Sequence, residues 1–206
     1  MHAYPILSIA IWLPILVGLL VLAIGSDRNP APARWIALIG SVVSFLVTIP
    51  LITGFDSSTA DLQFVEKANW IERFNITYHL GVDGISMWFV VLTALITVIV
   101  VIAAWEVITK NVAQYLAAFL ILSGIMVGVF SSADGMLFYV FFEATLIPLY
   151  LLIGTWGNSN RSYAAVKFFF VSFLGSLMML MSMLYLYSQT HSFDLALWRE
   201  THLGTW

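Results

Sequence analysis

The chain has 206 residues, of which 61% are hydrophobic and only 9% are charged, whereas soluble domains carry about 25% charged residues; an ordinary soluble fold is therefore excluded. The formal charge of −3 leaves no basic surplus to neutralise phosphates, which excludes nucleic acid as a partner. The absence of cysteine excludes disulfides and cysteine-ligated iron–sulfur clusters, so we expect any redox cofactor to lie in another chain.

Six apolar runs are long enough to cross a hydrocarbon core, which takes about 20 helical residues. They are residues 6–24, 35–53, 85–105, 112–130, 136–155 and 163–187. The short linkers after the fourth and fifth runs predict antiparallel neighbouring helices. Residues 1–5 contain no Lys or Arg, so we interpret the first run as a retained helix and not as a cleaved signal peptide. The predicted fold class is an all-α membrane protein with six transmembrane helices in contact with the lipid bilayer.

The longest segment between the apolar runs is the loop at residues 54–83. Polar and apolar residues alternate along 73–80, which is typical of a strand and would place Phe74, Ile76, Tyr78 and Leu80 on one face. A similar short pattern occurs at 62–64. We therefore predict a short β-hairpin on the membrane surface, within an amino-terminal part, residues 1–130, that contains helices one to four.

Basic residues predict the orientation of the bundle. The odd-numbered linkers and the adjoining helix ends carry Arg28, Arg34, Lys110 and Arg161. In the 54–83 loop, by contrast, two basic residues are outnumbered by carboxylates. The positive-inside rule then places the odd linkers in the cytoplasm, and both the amino terminus and the 54–83 loop outside.

Several polar residues have simple structural explanations. Asp83 and Asp134 each precede a glycine and an apolar run, which suits a carboxylate that caps a helix. Glu106 and Lys110 have the i, i+4 spacing of a solvated pair. His79 lacks the spacing of a metal ligand and is interpreted as a surface histidine.

Glu143 is the residue that composition does not explain. It lies seven residues into the fifth apolar run, which places it near the middle of the bilayer. A carboxylate at that depth costs at least about 2.5 kcal/mol, so it should face the bundle interior, a partner charge or a hydrated cavity. Desolvation would bring its proton affinity into the physiological range, which suits a proton-carrying group. The alternative is a permanently protonated carboxyl that joins two helices by a hydrogen bond.

Two further residues enter the predicted site. Pro148 follows Glu143 by five residues and has no N–H for the carbonyl of Ala144, so it should kink the helix beside Glu143. Lys167 lies six residues after Arg161 in the sixth run, and we interpret it as a second intramembrane charge. Glu143 and Lys167 should lie on adjacent helices about 10 Å apart in depth, which suits a water-bridged pair. Snorkelling of Lys167 to the membrane surface is the alternative.

Three segments resemble a known family. The segment FFEATLIPLYLLIGTWG at 141–157 resembles the fifth helix of the chain M family of bacterial NADH-quinone oxidoreductase, the respiratory complex I subunit equivalent to mitochondrial subunit four. HLGVDGIS at 79–86 and AAVKFF at 164–169 resemble the starts of the family's third and sixth helices. The likeness covers nearly the whole chain in order and spacing.

The resemblance implies an antiporter-like membrane subunit with inverted repeats. In that family a glutamate of the fifth helix pairs with a lysine of the seventh in a proton half-channel, and Glu143 has the position of that glutamate. Lys167 matches a lysine near the start of the sixth helix. Residues 131–206 would begin the proton-translocating domain. Family members are more than twice as long, and this chain ends at Trp206 before a seventh helix, so we expect it to be a fragment.

The resemblance implies a proton-translocating function within NADH-quinone oxidoreductase in the cytoplasmic (inner) membrane. Expected partners are the other membrane subunits of the complex, especially neighbouring antiporter-like subunits. No cofactor or metal is expected in this chain; NADH, FMN, iron–sulfur clusters and quinone would bind other subunits. Two alternatives stay open: a subunit of a multisubunit sodium/proton antiporter, and a structural subunit in which Glu143 only joins helices.

Overall fold

The computed structural model describes residues 4–26 and 29–200. Some residues used in the predictions above lie outside the described residues: residues 1–3, Arg28, and residues 201–206 of the predicted second part. Six long helices follow one another: α1 (Ile6–Ile24), α2 (Ala31–Thr53), α3 (Ser86–Val107), α4 (Val112–Ser131), α5 (Gly135–Trp156) and α6 (Arg161–Thr190). Each is long and apolar enough to span a membrane, so the predicted all-α membrane fold is confirmed.

The helix boundaries differ most from the prediction at the start of α2. The apolar run begins at Trp35, but the helix begins four residues earlier and includes Pro32 in its first turn. Proline is favoured there because the first helical N–H groups have no partner within the helix. Proline near the start therefore lengthens α2.

Helix α4 lies in the middle of the bundle and contacts α1, α2, α3 and α5. Small residues allow this close packing, as is common between membrane helices. A Cβ on Gly124 would run into the backbone carbonyl of Ile11 in α1, and one on Gly128 would come within 2.6 Å of the Phe141 ring in α5. By contrast, α6 packs mainly on α5 and buries only Ala165, Ser176 and Met183.

A β-hairpin covers one end of the bundle, which we call the hairpin end: the end at which α1, α3 and α5 begin and α2, α4 and α6 finish. Strands β1 (Gln63–Ile71) and β2 (Ile76–Val82) pair antiparallel. A 3-10 turn, Glu72–Phe74, joins them through Asn75, which has a positive φ of 56°, a conformation that Asn tolerates well. Phe74 therefore belongs to the turn, and the prediction that it shares a strand face with Ile76 was wrong. The opposite end of the bundle is called the loop end.

The hairpin is anchored to the start of α1 by Glu66. The Glu66 carboxylate accepts hydrogen bonds from the backbone N–H of Leu7 at 2.7 Å and of Ser8 at 3.2 Å, and from the Ser8 hydroxyl. The Tyr78 hydroxyl lies 3.0 Å from the same Ser8 oxygen. Helix α1 has no side-chain cap at its own N-cap residue, so strand β1 supplies the acceptor that the first turn lacks.

We expect Glu66→Ala to loosen the first turn of α1. Loss of a capping acceptor costs about 0.5–2 kcal/mol, and an opening energy lower by 1–2 kcal/mol reduces amide protection by about 5- to 30-fold. Hydrogen exchange at Leu7 and Ser8 measures this loss. Glu72→Ala, in the turn of the same hairpin, is the matched control and should leave both amides protected. Unchanged protection in Glu66→Ala would show that the contact carries no stability.

Candidate functional site

Glu143 lies on α5, about 12 Å from Gly135 at a rise of 1.5 Å per residue. The residue is half-buried. Its Oε1 atom is fully buried and, among the described residues, has no hydrogen-bond partner. An unpaired carboxylate oxygen away from water is costly in its charged form. The structure thus places an acidic group in the middle of a transmembrane helix with one carboxylate oxygen, Oε1, buried and without a hydrogen-bond partner among the described residues.

Tyr139 is the polar neighbour that sequence reasoning missed. Its phenol, one helical turn before Glu143, interacts with both the Glu143 carboxyl and the Ser176 hydroxyl of α6. Ser176 is only 3% exposed and donates a hydrogen bond to the carbonyl of Phe173 at 2.8 Å. The i, i+4 spacing of Tyr139 and Glu143 was a usable signal, whereas the approach of α6 was not readable from the sequence. Tyr139, Glu143 and Ser176 therefore form a small polar cluster at the α5–α6 interface.

Pro148 is buried inside α5, and the helix is unbroken from Gly135 to Trp156. The ring nitrogen has no hydrogen, so the carbonyl of Ala144 lacks its usual α-helical donor. The residue directly after Glu143 therefore offers a backbone acceptor without its usual helical donor. The predicted kink at this position stays a prediction.

Lys167 lies on the face of α6 that no described helix covers. Its side chain is exposed, and its ammonium lies 5.9 Å from the centre of the Tyr163 ring. Within the described part of the chain, no salt bridge joins it to Glu143. Helix α6 packs on α5 along a narrow stripe, which leaves the face that carries Lys167 uncovered; its role as a second intramembrane charge stays a prediction.

Asp134 caps the start of α5 and also binds strand β2. Its Oδ1 accepts hydrogen bonds from the N–H groups of Met136 at 2.9 Å and Leu137 at 3.1 Å, as predicted for an N-cap. Its Oδ2 accepts from the N–H and hydroxyl of Thr77 in β2, at 3.0 and 3.2 Å. Asp134 is 1% exposed. One buried carboxylate therefore joins the hairpin to the helix that carries Glu143.

Asp83 has the corresponding place before α3 and also behaves as predicted. It accepts hydrogen bonds from the N–H groups of Ile85 at 3.0 Å and Ser86 at 2.7 Å. The Ser86 bond is the main reason that the pKa of Asp83 lies below its usual value.

Backbone hydrogen bonds continue the connection from β2 to the segment after α6. The Ala133 N–H donates to the His79 carbonyl at 2.8 Å, and the Gly135 N–H donates to the Phe193 carbonyl at 2.7 Å. The Leu195 N–H donates a hydrogen bond to the Ala133 carbonyl at 3.2 Å; Leu195 is the first residue of the short helix α7 (Leu195–Glu200). Strand β2, the α4–α5 linker and the α6–α7 segment thus close the hairpin end together.

His79 is enclosed by this arrangement, so its interpretation as a surface histidine was wrong. Its side chain is 12% exposed, and Nδ1 lies 3.9 Å from Asp194 Oδ2. Burial is the main cause that lowers the pKa of His79, the Lys67 ammonium lowers it further, and the carboxylates of Asp194 and Asp134 raise it by less. Across residues 4–26 and 29–200, no group of three or more His, Cys, Asp or Glu could hold a metal ion.

The lowered pKa of His79 predicts that the closed hairpin end weakens in acid. The unfolded imidazole, with a pKa of 6.5, binds a proton more readily than the buried one, so stability is complete above that pH and falls as pH drops below it. Because the sequence lacks cysteine, a nitroxide pair at Asn69→Cys and Ala196→Cys can report the distance between the hairpin and α7. The distance distribution should broaden between pH 8 and pH 5. His79→Gln should abolish this response, and an acid response that persists in His79→Gln would assign it to another group.

Two family models match the chain in tandem. Residues 12–130 match the model described as NADH-ubiquinone oxidoreductase chain 4, amino terminus. Residues 132–204 match the model described as NADH:quinone oxidoreductase/Mrp antiporter, TM. Together they cover all or most of each of the six long helices; the first match begins inside α1.

Individual relatives agree with the family models. The chain is 43% identical over 195 residues to NADH-quinone oxidoreductase subunit M of Rickettsia conorii, covering 93% of this chain and 40% of the relative. It is 44% identical over 193 residues to the subunit M of Rhodobacter capsulatus, covering 92% and 37%. Its fold is similar to a chain of respiratory complex I from Thermus thermophilus with bound NADH, with a TM-score of 0.81, 26% identity and coverage of 96% and 40%. The chain spans about two-fifths of the length of these relatives.

Proposed function

Because the chain belongs to the NADH-ubiquinone oxidoreductase chain 4 family, we propose that it takes part in proton translocation by an NADH-quinone oxidoreductase. The observation that carries this proposal is Glu143, an acidic residue in the middle of a transmembrane helix with a buried, unpartnered oxygen. Electron transfer from NADH to quinone would occur in other subunits. Movement of charge there would be coupled electrostatically to protonation of Glu143.

The proposed cycle depends on the free-energy cost of a charged Glu143 carboxylate within the membrane. In this cycle, Glu143 carries the proton while no positive charge is close, because a charged carboxylate at this depth in a membrane is costly. When a positive charge approaches, the carboxylate is stabilised and the proton leaves. The Tyr139 hydroxyl, which neighbours both the Glu143 carboxyl and the Ser176 hydroxyl of α6, can relay the proton along this route. The free carbonyl of Ala144 beside Pro148 can hold a water molecule within the same helix.

Lys167 is the second charge in the proposal. It is exposed on the uncovered face of α6, where another transmembrane segment could bring an acidic or titratable group to it. We expect Lys167→Gln to lower proton pumping and Lys167→Arg to retain most of it, because only the second variant keeps the cation. Pumping by inverted membrane vesicles measures both. Arg161→Gln, at the surface end of α6, is the matched control, and equal pumping in Lys167→Gln and wild type would remove Lys167 from the mechanism.

The family membership also supports an arrangement in the membrane. We place the chain in the cytoplasmic membrane, with its amino terminus and the hairpin outside and the loop end in the cytoplasm, on the basis of Arg34, Lys110 and Arg161 at the loop end. Residues 131–206 would begin the proton-translocating part. The partners would be other membrane subunits, with antiporter-like subunits as neighbours, while NADH, FMN, iron–sulfur clusters and quinone would bind elsewhere in the complex.

A sodium/proton antiporter is the second candidate function, because the model that matches residues 132–204 also describes Mrp antiporters. The two functions differ in their driving force. In inverted vesicles that contain the assembled complex, we expect NADH to drive acidification of the lumen. Sodium without NADH should have no effect. A sodium gradient that moves protons without NADH would favour the antiporter and contradict the proposed coupling.

A further inference from the structure

A groove at the loop end, between α1, α4 and α5, is unexplained by proton transfer. Its volume is about 300 Å³, and it is lined by Leu22, Asn111, Gln114, Ala118, Ile121, Ile147, Pro148, Leu151, Thr155 and Trp156. The floor of the groove extends from Asn111, the N-cap residue of α4, to Ile121 in that helix, about 15 Å at 1.5 Å per residue. This is half of a hydrocarbon core of about 30 Å. The groove is therefore as deep as one leaflet of a bilayer.

The walls of the groove are apolar and open sideways on the outer surface of the described bundle. Three of the wall residues are exposed in large part: Ile147 is 63%, Leu151 51% and Leu22 44% exposed. Pro148 and Ala118 form a buried base between them. A surface of this kind is suited to a hydrocarbon chain that lies parallel to the helices.

Polar groups occur only where the groove reaches the membrane surface. Asn111 and Gln114 are exposed there, and their amides can donate hydrogen bonds. Lys110, also exposed, precedes Asn111 in the chain, and its backbone carbonyl accepts a hydrogen bond at 3.1 Å from the indole N–H of Trp156. The membrane-surface end thus combines one cation, two amides and an interfacial tryptophan, an arrangement complementary to a phosphate group.

We propose that this groove binds an anionic phospholipid of the leaflet at the loop end. One acyl chain lies along Leu22, Ile147 and Leu151, and the headgroup phosphate meets the Lys110 ammonium and the two amides. This binding is independent of the proposed proton transfer, because no part of the argument uses the titration of Glu143. A lipid site can therefore be tested while pumping is measured separately.

The test uses the purified complex that contains the chain, with phosphatidylglycerol and phosphatidylcholine that carry the same diazirine-labelled acyl chain. After illumination, peptide mass spectrometry should find labels in the α1 and α5 segments that line the groove. Phosphatidylglycerol should label them about fivefold more strongly, which corresponds to one Lys near an anionic headgroup. Lys110→Gln should remove this preference but retain labelling by both lipids.

Two variants separate the groove from the rest of the lipid-facing surface. Ala118→Phe should fill the groove and reduce labelling by both lipids several-fold. Because Ala118 is buried, the exposed Ile147→Trp provides a second obstruction that leaves the core intact. Ile99→Phe on α3, where Ile99 is 55% exposed, is the matched control and should label like wild type.

Two results would overturn the proposal. The first is labelling of the groove segments that is equal for both lipids and unaffected by Ile147→Trp. The second is a photoreactive residue at Leu151 that links to a protein segment and not to lipid, because a protein occupant would then fill the groove.

Discussion

Glu143→Gln should reduce proton pumping by about a hundredfold or to background, because positioned proton-transfer groups contribute factors of at least that size. The amide keeps the size and hydrogen-bonding capacity of the side chain but cannot release a proton. Assembly of the complex and electron transfer to an artificial acceptor should continue. Quenching of a pH-sensitive dye in inverted vesicles, measured beside NADH oxidation, gives both quantities in one preparation.

Two further variants show whether the loss is specific to Glu143. Glu106→Gln removes an exposed carboxylate at the loop end and should leave pumping unchanged. Glu143→Asp keeps a titratable group and should pump more than Glu143→Gln. If Glu143→Gln assembles and pumps like wild type, Glu143 is a neutral hydrogen-bonding residue that joins helices, and the structural alternative is correct.

Asp134→Ala should destabilise the protein by about 3–5 kcal/mol. Each buried donor left without a partner costs about 1–3 kcal/mol, and loss of an N-cap costs about 0.5–2 kcal/mol. The variant removes the acceptor for the N–H groups of Met136 and Leu137 and for both donors of Thr77. Denaturant unfolding in mixed micelles and the steady-state level in membranes measure the effect.

Asp134→Asn divides the two roles of this carboxylate. Its carbonyl oxygen can still accept the two helix N–H groups, but its NH2 group faces the Thr77 donors, so the loss should be about 1–3 kcal/mol. Asp61→Ala, in the exposed loop before β1, should have no effect. If Asp134→Ala is as stable as wild type, the hairpin does not support α5 as the structure indicates.

The transmembrane fold was predictable because each helix is encoded by local hydrophobicity. The six apolar runs and the short linkers at 131–135 and 157–160 were sufficient to predict the order and the antiparallel arrangement. Glu143 was also identifiable from the sequence, because a single carboxylate stands out within an apolar segment of this length. The caps at Asp83 and Asp134 were readable because an N-cap is a local signal.

Contacts between distant segments were not predictable from these signals. Nothing in the sequence near Glu66 indicates that it caps α1, 58 residues before it. His79 is enclosed because the segment at 193–195 hydrogen-bonds to the α4–α5 linker. This contact leaves no periodic pattern in the sequence from which it could be predicted. The exposure of Lys167 depends on which face of α6 meets a neighbour, and its position in an apolar run does not show that. Phe74 lies in a turn and not in the predicted strand, because Asn75 adopts the left-handed conformation that closes a tight turn.

The central claim, that Glu143 takes up and releases a proton during turnover, is tested most directly by infrared difference spectroscopy of the assembled complex. Spectra recorded before and after addition of NADH report the C=O stretch of protonated carboxyl groups. We predict a carboxyl band that changes on turnover in wild type, that disappears in Glu143→Gln and that persists in Glu106→Gln. A turnover-dependent carboxyl spectrum that is identical in wild type and Glu143→Gln would contradict the account, because Glu143 would then keep one protonation state throughout the reaction.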